Sequence, residues 1–267
     1  MMNRRYCLIP ALVLLAGCAS PFSPASPAPS GPVIFLLGEV HDNPAGHARR
    51  FDLIKAKVEA GWRPAIVMEQ FDRERQADLE RAMATCANAD CVIAAASAGT
   101  GWEWPLYKPV IELALGYKLK LVAANLARAD ASKVMRDGFA AVLDAGTIAD
   151  YGLDQPLPAA LVDAQTQAIR EGHCNKLPES MVGAMVRAQV ARDVVMAQAL
   201  TANAASGAIL LAGNGHVRLD AGVPHWLRRH GNGRVVSIGY VESAVHGPYD
   251  ESIRVKPHPR PDPCASL

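Results

Sequence analysis

Short apolar runs alternate with longer amphipathic stretches along most of this chain, the pattern of an α/β domain built on a mostly parallel sheet. The runs "VIFLLGEV" (33–40) and "AIVMEQ" (65–70) predict buried strands. Between them, "AGHARRFDLIKAKVEAG" (45–61) sets Phe51, Ile54 and Val58 on one helical face and stops at Gly61. Further strands are expected over 119–125, 208–217 and 235–241, the last of these closing the series. A long helix over 179–204 carries Met185, Val186 and Val190 among charged neighbours. The stretches 72–116 and 130–172 read as mostly helical and predict an added helical lobe beside the helices that flank the sheet.

The polar residues fall where the apolar runs end. Glu39 and His41 follow the first run, Glu69 and Gln70 the second, Asn125 the third, and Asn214 and His216 the fourth. Open parallel sheets bind ligands in the crevice beyond the carboxyl ends of their strands, so parallel neighbours would bring these tips to one rim. Taken singly each tip has a plainer explanation; Asp42 or Asn43 before Pro44, for example, is a natural helix start. The repetition at four strand ends is what favours a site.

The ends of the chain have a different composition. Arg4 and Arg5 precede "CLIPALVLLAG", an apolar core too short for a bilayer span of about 20 residues, and the stretch ends in "LAGC" at 15–18. Residues 1–17 therefore predict a lipoprotein signal peptide, with Cys18 as the acylated residue (a palmitate-type anchor). Without an aspartate at position 19, sorting to the outer membrane of a Gram-negative-type envelope is expected. Residues 18–32 form the lipidated cysteine and a Pro/Ser/Ala spacer, 33–255 a single domain, and 256–267 a proline-rich irregular tail. Removing Arg4 and Arg5 turns 27 basic against 26 acidic side chains into 25 against 26, a balance that gives no footprint for nucleic acid. In an oxidising compartment Cys86, Cys91, Cys174 and Cys264 are disulfide candidates, with three pairings open. A Cys86–Cys91 bond would close a small local loop and leave Cys174 with Cys264 to pin the tail. A soft-metal site competes, but no CxxC spacing supports it, and no CxxCH indicates covalent haem.

"GEVH" (38–41) and "GNGH" (213–216) share the form GxxH directly after apolar runs. Glycine permits a tight exit and close approach of a ligand, and histidine supplies a metal ligand or a group for acid–base chemistry near neutral pH. Glu39 and Glu69 could orient those rings, ligate, or act as a base. The paired motifs, Glu69 and Arg192 resemble the Tiki/TraB superfamily, and within it the ChaN-like haem-binding lipoproteins. The stretches "LLGEVHDNPAGH", "VMEQFDRERQ", "HCNKLPESMVGAMVRAQVARDVVMAQAL" and "LLAGNGHVRLDAGVPHWL" carry that resemblance. It implies a haem-binding outer-membrane lipoprotein for iron acquisition, attached to the membrane by its lipid anchor, with haem held between two protomers of a homodimer. It also implies a pocket formed by Glu39, His41, Glu69, Arg192, Asn214 and His216.

Haem iron takes His or Tyr ligands, and Tyr107, Tyr117, Tyr151, Tyr240 and Tyr249 are all candidates. Arginines in 48–50 and 227–229 could serve propionates, though such pairs read first as a solvated face; His47, His225 and His230 read as surface histidines. Trp62, Trp102, Trp104 and Trp226 could pack on a porphyrin, while "GWEWP" reads first as an anchor of the helical lobe. The competing reading is a metal-dependent hydrolase, protease or esterase-like: His41 and His216 would ligate Mn, Co or Zn, Glu39 or Glu69 would activate water, and Arg192 would steady an oxyanion.

Overall fold

A computed structural model describes residues 33–97, 101–231, 233–243, 247–262 and 264–265. The predicted signal peptide, Cys18 and spacer lie outside the described residues. Strands β1 (Val33–Glu39), β2 (Ala65–Asp72), β3 (Leu121–Asn125), β4 (Ala208–Gly213), β5 (Arg234–Val241) and β6 (Glu251–Arg254) form one sheet in the order β3-β2-β4-β1-β5-β6. Every pairing is parallel. The sheet is therefore parallel throughout, and β6 adds a strand after the one expected to be last. Its four residues lack an apolar run, because β6 lies at the edge and buries little. The runs at 119–125 and 208–217 become shorter strands, since Leu119 and Lys120 only lead into β3 and the chain turns away after Gly213.

Helix α1 (Pro44–Glu59) joins β1 to β2, and α2 (Gln76–Thr85), α3 (Ala89–Ala96) and α4 (Trp104–Tyr117) join β2 to β3. The return from β3 to β4 runs through α5 (Arg128–Asp137), α6 (Ala145–Tyr151), α7 (Ala159–Gly172) and α8 (Glu179–Ala202). Helix α9 (Val223–Leu227) precedes β5. Strand progression reverses after β3, and right-handed crossovers then put the later helices on the opposite face. The core divides accordingly. Ile34, Leu36, Val67 and Leu210 pack with α8 and its neighbours, whereas Leu37, Ile66, Met68 and Leu211 pack with α1 and α4. Strands buried on both faces read as continuous apolar runs, which is why the sequence showed them without alternation.

Helix α1 starts as expected from Asn43 and Pro44. The Asn43 side chain accepts a hydrogen bond from the Gly46 amide at 2.8 Å, and proline occupies the first turn, where no amide donor is needed. Two disulfides form: the local Cys86–Cys91, five residues apart, and the long-range Cys174–Cys264, ninety apart. The tail after β6 is irregular but fixed. Arg260 spans Asp42 and Glu242 with contacts of 2.7–2.8 Å, and the Lys176 ammonium donates to the Cys264 carbonyl at 3.0 Å.

Candidate functional site

The parallel register brings the polar strand tips to one rim, with Glu39 beside Gly213. At the centre is Glu39, 2 % exposed. One of its oxygens accepts from the Tyr107 hydroxyl, from His41 Nδ1 at 2.8 Å and from Gln70 at 3.4 Å. The other accepts from the Arg50 guanidinium. Burial pushes this carboxyl up, but Arg50 and then the hydrogen bond from His41 hold it down at about 2. Two sequence expectations are corrected here. His47 and Arg50 are not solvated: α1 turns them inward, where burial costs less than leaving Glu39 without a cation. His47 lies 3.0 Å from the His41 carbonyl and 3.0 Å from Arg50, and burial together with Arg50 depresses its ring to about 4.

His41 is the exposed member of the site, with half of its side chain open to solvent (50 %). Burial lowers its pKa, but the hydrogen bond to Glu39 and the charge of Glu69 raise it further, so the net shift is upward. The ring meets Trp102 edge to face at 5.0 Å. Its Nε2 faces Gly213, where a Cβ would come within 2.9 Å of that nitrogen. The glycine of the second GxxH therefore makes room for the histidine of the first.

The two histidines are not equivalent. His216 is buried; its Nδ1 lies 2.6 Å from Asp193 and its Nε2 3.5 Å from Glu69. Burial opposes its charge, but Glu69 and Asp193 overcome this and push it up to about 10, so the ring is an imidazolium at neutral pH. Asp193 is 0 % exposed and also accepts from Gln165 at 3.2 Å. Glu69 links the two halves: its other oxygen accepts from the Gly213 amide at 2.8 Å, beside the His41 ring. With both nitrogens of His216 turned to carboxylates, this ring has no lone pair to offer a metal. Among the described residues no group of three or more His, Cys, Asp or Glu side chains is arranged to hold a metal ion.

The other predicted residues sit further out. Arg192 donates to Asn125, which in turn donates to Asp72 at 2.9 Å, so it braces the tip of β3. Asn214 donates from its backbone to the Glu39 carbonyl and from its side chain to the Tyr240 carbonyl at 2.7 Å. Its Oδ1 packs on Gly38 with no hydrogen-bond partner among the described residues. Asp193 was missed in the sequence, and Tyr107, a candidate iron ligand there, instead donates to Glu39. Asp193 follows Arg192 and could have been noticed as an acid on an apolar helix face; nothing in the spacing sets Tyr107 apart from the chain's other tyrosines.

Haem suits this donor set in one respect. Donation from Nδ1 to a carboxylate fixes the tautomer and leaves Nε2 as the ligating atom, the usual support for a ligand histidine. The tyrosines fit less well. The Tyr107 and Tyr240 side chains are buried, Tyr151 packs on Trp226, and Tyr117 lies at the far end of α4. Tyr249 is half-buried, with its hydroxyl 3.4 Å from the Asn214 carbonyl at the rim. Trp226 is a core residue. Trp104, at the start of α4, packs on Phe71 of β2. His225 is half-buried against Trp226, and the side chain of His230 lies outside the described residues.

A solved structure titled "Cofacial heme binding to ChaN of Campylobacter jejuni" matches with a TM-score of 0.64 at 19% identity, covering 82% of this chain and 86% of that one. A protein from Bacillus cereus gives 0.45 at 12% identity over 79% of this chain and 66% of its own, and an erythromycin esterase variant 0.44 at 15% over 79% and 70%. At those TM-scores neither bears on function. No curated protein sequence matches. Residues 30–227 match the sequence model of the family described as "Haem-binding uptake, Tiki superfamily, ChaN", which supports haem-binding uptake, and the chain belongs to that family.

Proposed function

We propose that this chain is a lipoprotein, anchored through Cys18 in the outer membrane, that binds haem at the carboxyl rim of its sheet. The observation that carries the reading is His41: half-exposed, backed by Glu39 through Nδ1, with its Nε2 beside Gly213 at the rim. When bound, haem would supply an iron centre that accepts an imidazole ligand. His41 would be that ligand. Glu39, Arg50 and Tyr107 would hold its ring, Trp102 would offer an aromatic edge, and the Asp193–His216–Glu69 group would keep the floor polar and rigid. The cofacial binding named for the Campylobacter jejuni protein favours a homodimer that shares the ligand.

The chain from residue 19 onward keeps every residue of both core clusters, so it is the protein to test. Titration with hemin is expected to give a saturable Soret band, and His41→Ala to weaken binding by about tenfold or more, as loss of an iron ligand should. Absence of saturable binding sinks the haem reading, and unchanged affinity in His41→Ala sinks the assignment of the ligand. Sedimentation with and without hemin tests the dimer. Acylation of Cys18, read by mass from full-length protein purified from membranes, tests the anchor.

A further inference from the structure

The end of the sheet opposite the rim gathers several cations. One ion pair, Lys55 with Glu59, closes the last turn of α1 there, and on the flanks Arg81 pairs with Asp78, Lys108 with Asp90 and Lys133 with Asp130. At the amino ends of the strands, Lys57, Arg63, Lys118, Lys120 and Arg234 have no ion-pair partner among the described residues. Arg63, Lys118 and Lys120 line a cleft of about 370 Å³ between the starts of β2 and β3 that no carboxylate lines. Beside it, a groove of about 780 Å³ runs over Val33, Phe35, Leu53, Trp62 and Val236, with Lys57, Arg234 and one carboxylate, Glu251. Trp62 joins the two, its indole donating to the Ser206 carbonyl at 2.9 Å while its ring meets Phe35 edge to face at 5.8 Å. Tyr117, one of two exposed large hydrophobic residues among those described, is on the same end under Arg63.

Unpaired cations interleaved with half-buried aromatic rings form the chemistry of a bilayer interface, where indole and phenol rings sit at headgroup depth and Lys or Arg meets phosphate. This end also carries Val33, the first residue of β1, from which the chain leads back toward Cys18. We infer that the amino-terminal end of the sheet, centred on Lys118, Lys120 and Arg234, is a docking surface for anionic phospholipid headgroups. The inference rests on the lipid-anchor reading above and adds an orientation to it: the His41 rim faces away from the bilayer.

Chain geometry keeps the surface within reach of its partner. Residues 19–32 can extend no further than about 50 Å, and a tether that short gives an effective concentration on the order of millimolar. Each Lys or Arg near an anionic surface strengthens binding by about fivefold. Five such cations together strengthen binding by about three-thousandfold at low salt, enough to draw an untethered domain to an anionic surface and to hold a tethered one there. A simpler role exists for some of them. Helices flanking a parallel sheet end at this edge, and Arg63 donates to the carbonyls of Val58 and Trp62 at 2.6 and 2.9 Å, capping α1. Lys118, Lys120 and Arg234 make no such side-chain bonds among the described residues; Lys118 caps α4 through its backbone amide alone, so exchanging these side chains for Gln removes charge and no cap bond.

The experiment uses the chain from residue 19, without lipid, so its outcome is independent of acylation at Cys18. Co-sedimentation with vesicles of phosphatidylglycerol and phosphatidylcholine is compared with phosphatidylcholine alone at low salt. Binding is expected only to the anionic vesicles and should fade toward about 0.3 M salt, where screening is strong. Lys118→Gln with Lys120→Gln and Arg234→Gln should weaken it by about tenfold or more. Arg81→Gln with Lys108→Gln and Lys133→Gln, which removes the same charge from the flanks, should change it by less than about threefold. Equal losses in the two triple variants, or no binding of the parent chain, overturn the surface. So does saturation by inorganic phosphate at the concentration that abolishes vesicle binding, which would make the cleft a small-anion site. If vesicles bind as expected but Cys18 is unmodified in the full chain, the surface stands and the anchor reading falls.

Discussion

Charge burial decides the site at the level of single residues. Glu39 would be neutral in an apolar setting; it is ionised because Arg50 and three further donors converge on it. Removing Arg50 by Arg50→Met leaves a buried, unpaired carboxylate, and a loss of about 3–5 kcal/mol is expected in urea unfolding. A variant within 1 kcal/mol or so of the parent would show that Arg50 does not neutralise Glu39. The pH dependence follows with opposite signs for two groups. The Glu39 carboxyl is depressed to about 2, so its contribution is complete above its unfolded value near 4.5 and is lost as pH falls from there through 2. His216 is raised to about 10, so its contribution is complete below its unfolded value near 6.5 and is lost as pH rises through 10. Urea midpoints should therefore fall on both sides, and His216→Gln should flatten the alkaline limb and, because the same ring holds the Glu69 and Asp193 carboxyls down, shift the acid limb as well. An unchanged alkaline limb in that variant would assign the effect elsewhere.

The secondary elements were legible wherever burial was local. The apolar runs marked β1 to β5, and the polar residues after them marked the rim, because a parallel sheet buries whole strands and leaves only their ends to carry polar groups. What the sequence hid was partner choice. Arg50 lies in "ARR", which reads as a solvated helix face, yet the turn of α1 aims it at Glu39. Asp193 reads as one charge on a long helix, yet α8 places it against His216. Neither pairing follows from spacing, since each joins side chains from different elements. β6 was missed for the related reason that an edge strand of four residues needs no apolar run. The disulfides show how much element-level closure contributes. By loop-closure entropy, losing the Cys174–Cys264 bond, ninety residues apart, should cost about 4.6 kcal/mol, and losing Cys86–Cys91, five apart, about 2 kcal/mol. Urea unfolding of Cys174→Ala/Cys264→Ala and Cys86→Ala/Cys91→Ala compares them directly. A larger loss from the short loop would mean that chain entropy is not the main term.

Across the whole domain, stability should be graded from the centre of the sheet to its edge. β4 lies between β2 and β1, and all six of its residues are buried. β6 pairs with β5 alone and buries little. Opening β4 requires separating both halves of the core, whereas β6 can detach without disturbing either. The tail opposes that detachment. Just past β6, Asn43 donates to the Lys256 carbonyl at 2.9 Å, the His258 amide donates to Glu242 at 3.0 Å, and Arg260 closes on Asp42 and Glu242. Because Asp42 follows His41, this clamp ties the sheet edge to the rim loop. Native-state hydrogen exchange separates the two influences. Amides of Leu210 to Ala212 should exchange only through global unfolding, and those of Ser252 to Arg254 at least about a hundredfold faster. Arg260→Ala should speed the second group further and leave the first unchanged, since it removes a clamp at the edge and nothing at the centre. If both strands exchange at one rate in the parent chain, the sheet opens as a single unit and the clamp adds nothing to it.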